Sequence, residues 1–253
     1  MEDTSIVSGT EKALIRKEER FINLMIRNLH LSLLCSNHIS VSQQYWFLSR
    51  KSRLNHRLIK EIKKLCRSRR IEVSGISIFV NKRWKECDSF IKHSSPIKIP
   101  SLQLNSEPKV PIIPLSAFSP GLSKVLPSVC YLVFIYKWSI RKKDLQTIVS
   151  SASNSNEVTF SSCKLDAEGI EFTPKIIYKT SVLRFLECSS ISGTSTELNT
   201  SLFSSILKAV SLCPLQRSLK TVDLYKSGVS EEFVKEEKKK HGLNNIQIIV
   251  GIS

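Results

Sequence analysis

Leu219-Lys220-Thr221-Val222-Asp223-Leu224-Tyr225-Lys226-Ser227-Gly228-Val229 is the stretch of sequence that decides the fold. Its apolar residues occupy the first, fourth, sixth and eleventh places, and a small polar residue occupies the ninth. The alternation around places four to six is typical of a strand with one buried face. Because eleven residues can match such a pattern by chance, the prediction depends on whether the pattern recurs.

The pattern recurs four more times in the second half of the chain. Residues 158–165 and 183–188 fit with a cysteine at place nine, and residues 133–140 fit except for the bulky Trp138 at that place. Near the C-terminus, apolar residues at 243, 246 and 248 supply places one, four and six. The residues at place six are Ile135, Phe160, Phe185, Leu224 and Ile248, at steps of 25, 25, 39 and 24. The 39-residue step requires an insertion after Ile191.

This spacing, L-x-x-L-x-L-x-x-N/C-x-L, resembles the strand signature of the leucine-rich repeat family, closest to its longer-period, ribonuclease-inhibitor-like type. The resemblance covers about residues 128–253. It implies an α/β fold in which about five strand-plus-helix units stack into a short solenoid, with the strands lining a concave wall. A small mixed α/β domain with evenly spaced strands is the alternative interpretation.

The first half of the chain has a different composition. Apolar residues at helical spacing predict an α-helical, basic N-terminal region over residues 1–93, although residues 71–80 alternate in the manner of a strand. Residues 94–127 hold seven of the nine prolines and are predicted to form a linker, since proline removes a backbone donor and interrupts helices. Those prolines are Pro96, Pro100, Pro108, Pro111, Pro114, Pro120 and Pro127. The predicted domains are therefore 1–93, 94–127 and 128–253.

Residues 50–70 form a predicted basic patch. They carry ten Lys and Arg against one acidic residue, Glu61, so they contribute +9 of the formal net charge of +16. An apolar stripe on the same helix leaves a basic band opposite, which suits nucleic acid or an acidic protein surface, or is simply a solvated face. The basic residues are Arg50, Lys51, Arg53, Arg57, Lys60, Lys63, Lys64, Arg67, Arg69 and Arg70.

A weaker resemblance concerns the N-terminal segments 21–34 and 39–53. Their helical pattern, followed by an aromatic and basic cluster, is loosely similar to the F-box family, whose members pair a short helical module with leucine-rich repeats. The Leu-Pro pair usual at the opening of that motif is missing. The resemblance would imply a substrate adaptor of a cullin-type ubiquitin ligase, and a plain helical cap on the first repeat is the alternative.

No motif for catalysis or for cofactor binding stands out. The chain has no H-E-x-x-H, no P-loop, no G-x-G-x-x-G and no G-x-S-x-G, and its seven cysteines include no C-x-x-C pair. We therefore expect no enzyme activity, no cofactor and no metal. The chain starts without a signal-like segment and lacks an apolar run long enough for a membrane span, so we expect a cytoplasmic protein, with the nucleus as the alternative.

The sequence thus predicts a non-enzymatic interaction scaffold or a subunit of a larger assembly. In the repeat fold, the residues between the core positions of each strand face the concave wall and are the expected contacts for a protein partner. These residues are Phe134, Tyr136, Thr159, Ser161, Arg184, Asp223, Tyr225 and Gln247. The identity of the partner, the biological process and the oligomeric state stay open.

Overall fold

The computed structural model describes residues 16, 19–20, 23–24, 26–27, 38–41, 60, 64, 75–80, 99–106, 119–152, 154–166, 168–172, 180–191, 195–212, 218–226 and 229–250. The chain folds as an α/β protein around an eight-stranded parallel sheet with the order β1-β2-β3-β4-β6-β8-β10-β11. The strands are β1 His38–Val41, β2 Gly75–Val80, β3 Ile99–Ser106, β4 Val129–Tyr136, β5 Ser139–Ile140, β6 Glu157–Ser161, β7 Lys164–Leu165, β8 Val182–Leu186, β9 Ser189–Ser190, β10 Thr221–Asp223 and β11 Gln247–Ile249. The two-residue strands β5, β7 and β9 form a second, small parallel sheet.

Helices connect the strands of the described part of the chain. They are α1 Ser119–Val125, which continues into a short 3-10 helix, α2 Lys142–Ser151, α3 Ser195–Ser211 and α4 Glu231–His241. The ends of α4 follow from its sequence: Ser230 accepts a hydrogen bond from the amide of Phe233, and Gly242 ends the helix in the left-handed region at φ 63°. Within the residues described, no helix has both the length and the apolar character needed to span a membrane.

The hydrophobic core lies between one face of the large sheet and the helices. Alternate residues of each strand point into it, and Phe160 of β6 stacks on Phe185 of β8 with ring centroids 5.1 Å apart. The apolar residues of α2 and α3 belong to the same buried cluster as those of the strands. The residues between the buried positions point to the opposite face of the sheet. On that face the described side chains of β3, β4 and β8 are partly exposed, whereas Ser77, Thr159 and Asp223 are buried; we call it the open face.

Equivalent positions of the sequence pattern lie side by side in the sheet. Ile135 of β4 pairs with Phe160, and Phe160 pairs with Phe185, so each 25-residue step equals one strand step. The last strand differs from the prediction. Ile248 pairs with Val222, a place-four residue, and therefore does not take place six. The predicted register was wrong because it assigned Leu243 and Ile246 to places one and four of the strand pattern. Both residues are buried, but they lie in the turn that leads into β11.

A ladder of side-chain hydrogen bonds joins neighbouring strands at place nine of the pattern. The thiol of Cys163 donates to the carbonyl of Ile135 at 3.5 Å, and the thiol of Cys188 donates to that of Phe160 at 3.6 Å. Trp138, the residue that fits the sequence pattern least well, makes the equivalent contact: its indole Nε1 donates to the carbonyl of Leu104 at 3.1 Å. The bulky side chain therefore takes the place of a cysteine in the ladder and ties β4 to β3.

The residue just before place nine of the pattern has an unusual backbone conformation in four strands. Lys137, Ser162, Glu187 and Lys226 all have positive φ, between 51° and 60°. Non-glycine residues rarely adopt this left-handed region. Its recurrence at the same place of four units indicates that the chain makes the same turn after each of these strands.

The large sheet continues through the region in which the prolines predict a linker. Strand β3 and helix α1 both lie within residues 94–127, and β3 pairs with β2 and β4. Pro100 is tolerated because it lies where the register between β3 and β4 shifts, and Pro120 stands in the first turn of α1. Strand β2 lies within residues 71–80, whose alternation predicts a strand. Strand β1 falls in the region 1–93 that was otherwise predicted to be helical, and most of that region lies outside the described residues.

One carboxylate is enclosed where α4 packs near α3. Glu237 is buried, accepts a hydrogen bond from Lys240 Nζ at 2.8 Å, and lies 3.5 Å from His241 Nε2. Burial acts to raise the pKa of the Glu237 carboxyl, but Lys240, Ser204 and His241 together lower it below its ordinary value. The ionised form of Glu237 therefore stabilises the packing of the last helix.

Candidate protein-binding face

The open face of the sheet carries the side chains that alternate with the core positions. Two rows cross the strands in register. The middle row consists of Gln103, Phe134, Thr159, Arg184, Asp223 and Ile249. The upper row consists of Asn105, Tyr136, Ser161 and Leu186, with Tyr225 at the corresponding place after β10.

Strand β4 gives this face an apolar ridge. Leu132, Phe134 and Tyr136 are each partly exposed, and the rings of Phe134 and Tyr136 are stacked with centroids 6.3 Å apart and an interplanar angle of 16°. Lys137 Nζ lies 5.0 Å from the centroid of the Tyr136 ring. Stacking limits the rotamers of both aromatic side chains.

The centre of the open face holds an ionic cluster that spans three strands. Arg184 of β8 donates from Nη1 to Asp223 Oδ2 at 2.9 Å and from Nε to Glu157 Oε1 at 3.2 Å. Thr159 donates its hydroxyl to the same oxygen of Glu157. The side chain of Asp223 is only 8% exposed, whereas that of Arg184 is 34% exposed. The cluster satisfies its own charges and pins β6, β8 and β10 in register.

A second ion pair lies at the far end of the upper row. Lys226 donates to Glu187 Oε1 at 2.7 Å, and its Nζ lies 5.5 Å from the centroid of the Tyr225 ring. The hydrogen bond from Lys226 lowers the pKa of the Glu187 carboxyl, and the same contact raises the pKa of Lys226. Both side chains are about half exposed, so this pair contributes little to stability. It does hold Lys226 beside Tyr225.

Of the eight residues that the sequence predicts as contacts, six are at least partly exposed on the open face, whereas Thr159 and Asp223 are buried. The structure brings Thr159, Arg184 and Asp223 together on adjacent strands, and it stacks Phe134 on Tyr136. Ser161 lies next to Tyr136 in the upper row, and Tyr225 is 43% exposed. Gln247 is exposed and pairs with Thr221, whereas the predicted register pairs it with Asp223, two residues further along β10.

Sequence reasoning missed Glu157, Gln103 and Asn105. Glu157 immediately precedes Val158, the place-four residue of its unit, and its position beside Arg184 follows only from the alignment of β6 with β8. Gln103 and Asn105 were missed because they stand in the proline-rich region. The alternation of Leu102 and Leu104, both buried, was the signal that could have found them.

The basic patch lies almost entirely outside the described residues. Lys60 and Lys64 are exposed and helical. The other eight basic residues, Arg50, Lys51, Arg53, Arg57, Lys63, Arg67, Arg69 and Arg70, are not among those described. The segments that resemble an F-box also lie outside, apart from the helical residues 23, 24, 26 and 27 and strand β1. In the described part of the chain, no group of three or more His, Cys, Asp or Glu residues is placed to hold a metal ion.

Comparison with known proteins adds no further information about this face. No protein-family model matches the chain, and no curated protein and no solved structure matches it significantly.

Proposed function

We propose that the chain is a leucine-rich repeat-like solenoid that acts as a non-enzymatic scaffold and binds a protein partner through its open, concave face. The recurring turn at positive φ and the ladder at place nine support the repeat interpretation, because both features return at equivalent positions of successive strands. Strands β1, β2 and β3 extend the same sheet, so the solenoid would include more than the five units that the spacing predicts.

The observation that carries the binding proposal is an open face with aromatic side chains on a parallel sheet. Parallel sheets in ordinary α/β proteins are covered on both faces, and their strands are apolar on both sides. Here the second face carries the stacked pair Phe134 and Tyr136, together with Tyr225, all at least partly exposed. Ordered tyrosines are typical anchors of protein interfaces.

The charges on this face favour a protein over nucleic acid as its ligand. Among the described residues of this face, three basic residues stand against three acidic ones, and two of the three basic residues are already paired. The basic residues are Lys137, Arg184 and Lys226, and the acidic residues are Glu157, Glu187 and Asp223. A phosphate backbone needs an excess of unpaired positive charge, and the part of this face that the structure describes does not provide it.

The test is site-specific photo-crosslinking in the cells that make the protein. A benzophenone amino acid at Tyr136 or at Tyr225 should capture the same partner, because the two positions lie on one face. The same amino acid at Lys239, an exposed residue of α4 on the helical side, is the matched control and should not capture it. The crosslinked partner should also be recovered at high salt, since the proposed contact with the open face does not depend on unpaired charge.

Alanine replacement of both tyrosines tests the energetics. Two interface tyrosines at about 1–2 kcal/mol each predict a loss of roughly 30-fold or more in affinity for the captured partner. Arg184 is left in place because its removal would leave the buried Asp223 without a counter-charge and would confuse binding with stability. Unchanged affinity of a folded Tyr136→Ala, Tyr225→Ala variant would refute the placement of the binding site.

A further inference from the structure

We propose that the part of the open face formed by β3 and β4 binds an extended, largely uncharged peptide segment of the partner, which lies along the direction of the strands. This inference rests on the proposed function and names the kind of ligand that this face takes. Four side chains form the site: the amides Gln103 and Asn105 on β3 and the rings Phe134 and Tyr136 on β4.

The register places one amide beside each ring. Gln103 pairs with Phe134, and Asn105 pairs with Tyr136. All four side chains are partly exposed, so a ligand can reach them. Each pair combines a hydrogen-bonding group that can both donate and accept with a flat apolar surface. That combination matches one peptide unit and one neighbouring side chain of a ligand.

The spacing along the strands matches an extended chain. Gln103 and Asn105 are two residues apart on β3, which is about 6.6 Å in a strand, and the two rings are 6.3 Å apart. An extended peptide presents peptide groups of the same orientation, and side chains of the same orientation, at that same two-residue repeat. A helix repeats its side chains on one face every three or four residues, so it matches both amides and both rings less well.

The hydrogen-bonding capacity of the amides is largely unused. Gln103 accepts one hydrogen bond, from the Ser77 hydroxyl at 3.1 Å, through its carbonyl oxygen. With the residues that the structure describes, the NH2 group of Gln103 and the side chain of Asn105 make no hydrogen bond. These groups can therefore donate to and accept from a ligand backbone without first breaking internal contacts, which favours binding.

The charges around the site define the preferred sequence of the ligand. The four side chains are uncharged, so a ligand segment with apolar residues at alternate positions suits the ridge. Lys137 follows β4 at its carboxyl end and makes no ion pair within the described part of the chain. We therefore expect an acidic residue at the end of the ligand that lies next to Lys137.

The experiment is a selection of phage-displayed peptides on the full-length chain, with two libraries in parallel. One library presents linear twelve-residue peptides, and the other presents peptides on a helical scaffold. We expect linear clones with apolar residues at alternate positions and an acidic residue near one end. Enrichment of helical clones alone would overturn the proposal of an extended ligand. A failure of both libraries to yield a binder would also overturn it. Neither outcome would refute the proposed function, which concerns a whole protein partner.

Fluorescence polarisation with a selected linear peptide then locates the site. The variant Gln103→Ala with Asn105→Ala should weaken binding at least tenfold. The variant Asn244→Ala with Asn245→Ala is the matched control, because it removes two exposed amides from the turn before β11, outside the open face, and it should not change binding. Equal effects of the two variants, or loss of binding only in Tyr225→Ala, would refute the placement.

Backbone methylation of the peptide tests the extended conformation itself. Successive peptide groups of an extended chain point to opposite sides, so every second N–H faces the protein. N-methylation of the peptide groups that face the protein should weaken binding at least tenfold. N-methylation of the intervening peptide groups should not weaken it. Uniform loss at every position would indicate a helical ligand and would contradict the proposal.

Discussion

Replacement of the indole N–H of Trp138 is the most direct test of the ladder that joins β3 to the rest of the sheet. The side chain is fully buried, and its Nε1 donates to the carbonyl of Leu104 at 3.1 Å. Incorporation of 3-benzothienylalanine keeps the shape of the side chain and removes only the donor. The variant Trp138→Phe removes the donor and part of the ring.

The expected magnitude follows from the burial of both partners. Leu104 is 1% exposed, so its carbonyl would lose a hydrogen bond with little access to water. Loss of a buried hydrogen bond in which one partner stays unsatisfied costs about 1–3 kcal/mol. We expect about 2 kcal/mol for the benzothienyl variant. Trp138→Phe should cost about 1–2 kcal/mol more, because it also removes buried apolar surface.

Urea unfolding followed by circular dichroism measures the change in free energy, and hydrogen exchange with mass spectrometry locates it. Exchange in β3, residues 99–106, should accelerate more than exchange in β6. The control Phe203→Leu shrinks a fully buried ring of α3 and should lower stability without a selective effect on β3. A benzothienyl variant that loses less than about 0.5 kcal/mol, with unchanged exchange in β3, would refute the reasoning.

Three further predictions concern other parts of the described chain. Arg184→Ala should cost about 2 kcal/mol, and the additional change Asp223→Ala should restore part of it in a double-mutant cycle, because the lone buried carboxylate is then gone. The folded-state pKa of Glu237 is lowered, so its contribution is present above its ordinary pKa near 4.5 and is lost as pH falls through the folded pKa. Melting temperatures of Glu237→Gln between pH 3 and pH 6 should therefore fall less steeply with acid than those of the wild type. Maleimide labelling with peptide mass analysis should modify the exposed Cys130 rapidly. It should modify Cys188 only after unfolding, since a hydrogen bond with Cys163 and burial raise the pKa of that thiol.

The repeat spacing alone was sufficient to locate β4, β6, β8 and β10. In each of these strands the apolar places are buried, and the residues between them point to the opposite face, where Thr159 and Asp223 are nevertheless buried. Both outcomes follow from the two-residue period of a strand, which is a local property of the sequence. For the same reason, the residues that alternate with the core positions could be named before their neighbours were known; their role as partner contacts stays a prediction.

The remaining features depend on relations between distant residues. The ion pairs of Arg184 join positions 27 and 39 residues away, and they become readable only when the register of three strands is fixed. The role of Trp138 was hidden because the pattern asks for a small residue at place nine. What the ladder requires is a donor that reaches the preceding carbonyl, and an indole N–H can meet that requirement.

The proline-rich region shows how composition can outweigh pattern. Seven prolines predict a linker, yet the structure places Pro100 at a register shift and Pro120 at a helix start, where no backbone donor is required. The residues between them are then free to form β3. The proline content therefore shows which positions lack a backbone N–H donor. It does not show whether the residues around those positions join a sheet.

The charged and the uncharged side chains of the open face differ in how far their hydrogen-bonding groups are already used within the protein. Its charged residues on β6, β8 and β10 are consumed by contacts with one another, which fix the strands and leave little to offer a ligand. Its uncharged residues on β3 and β4 are ordered by stacking and by register but keep unused hydrogen-bonding capacity. Because a ligand gains most from groups that are ordered and unsatisfied, we expect the peptide segment proposed above to gain most of its own binding energy on β3 and β4. Charge-neutralising substitutions in the central cluster should therefore change the stability of the protein more than its affinity, and substitutions at Gln103, Asn105 or Tyr136 should do the reverse.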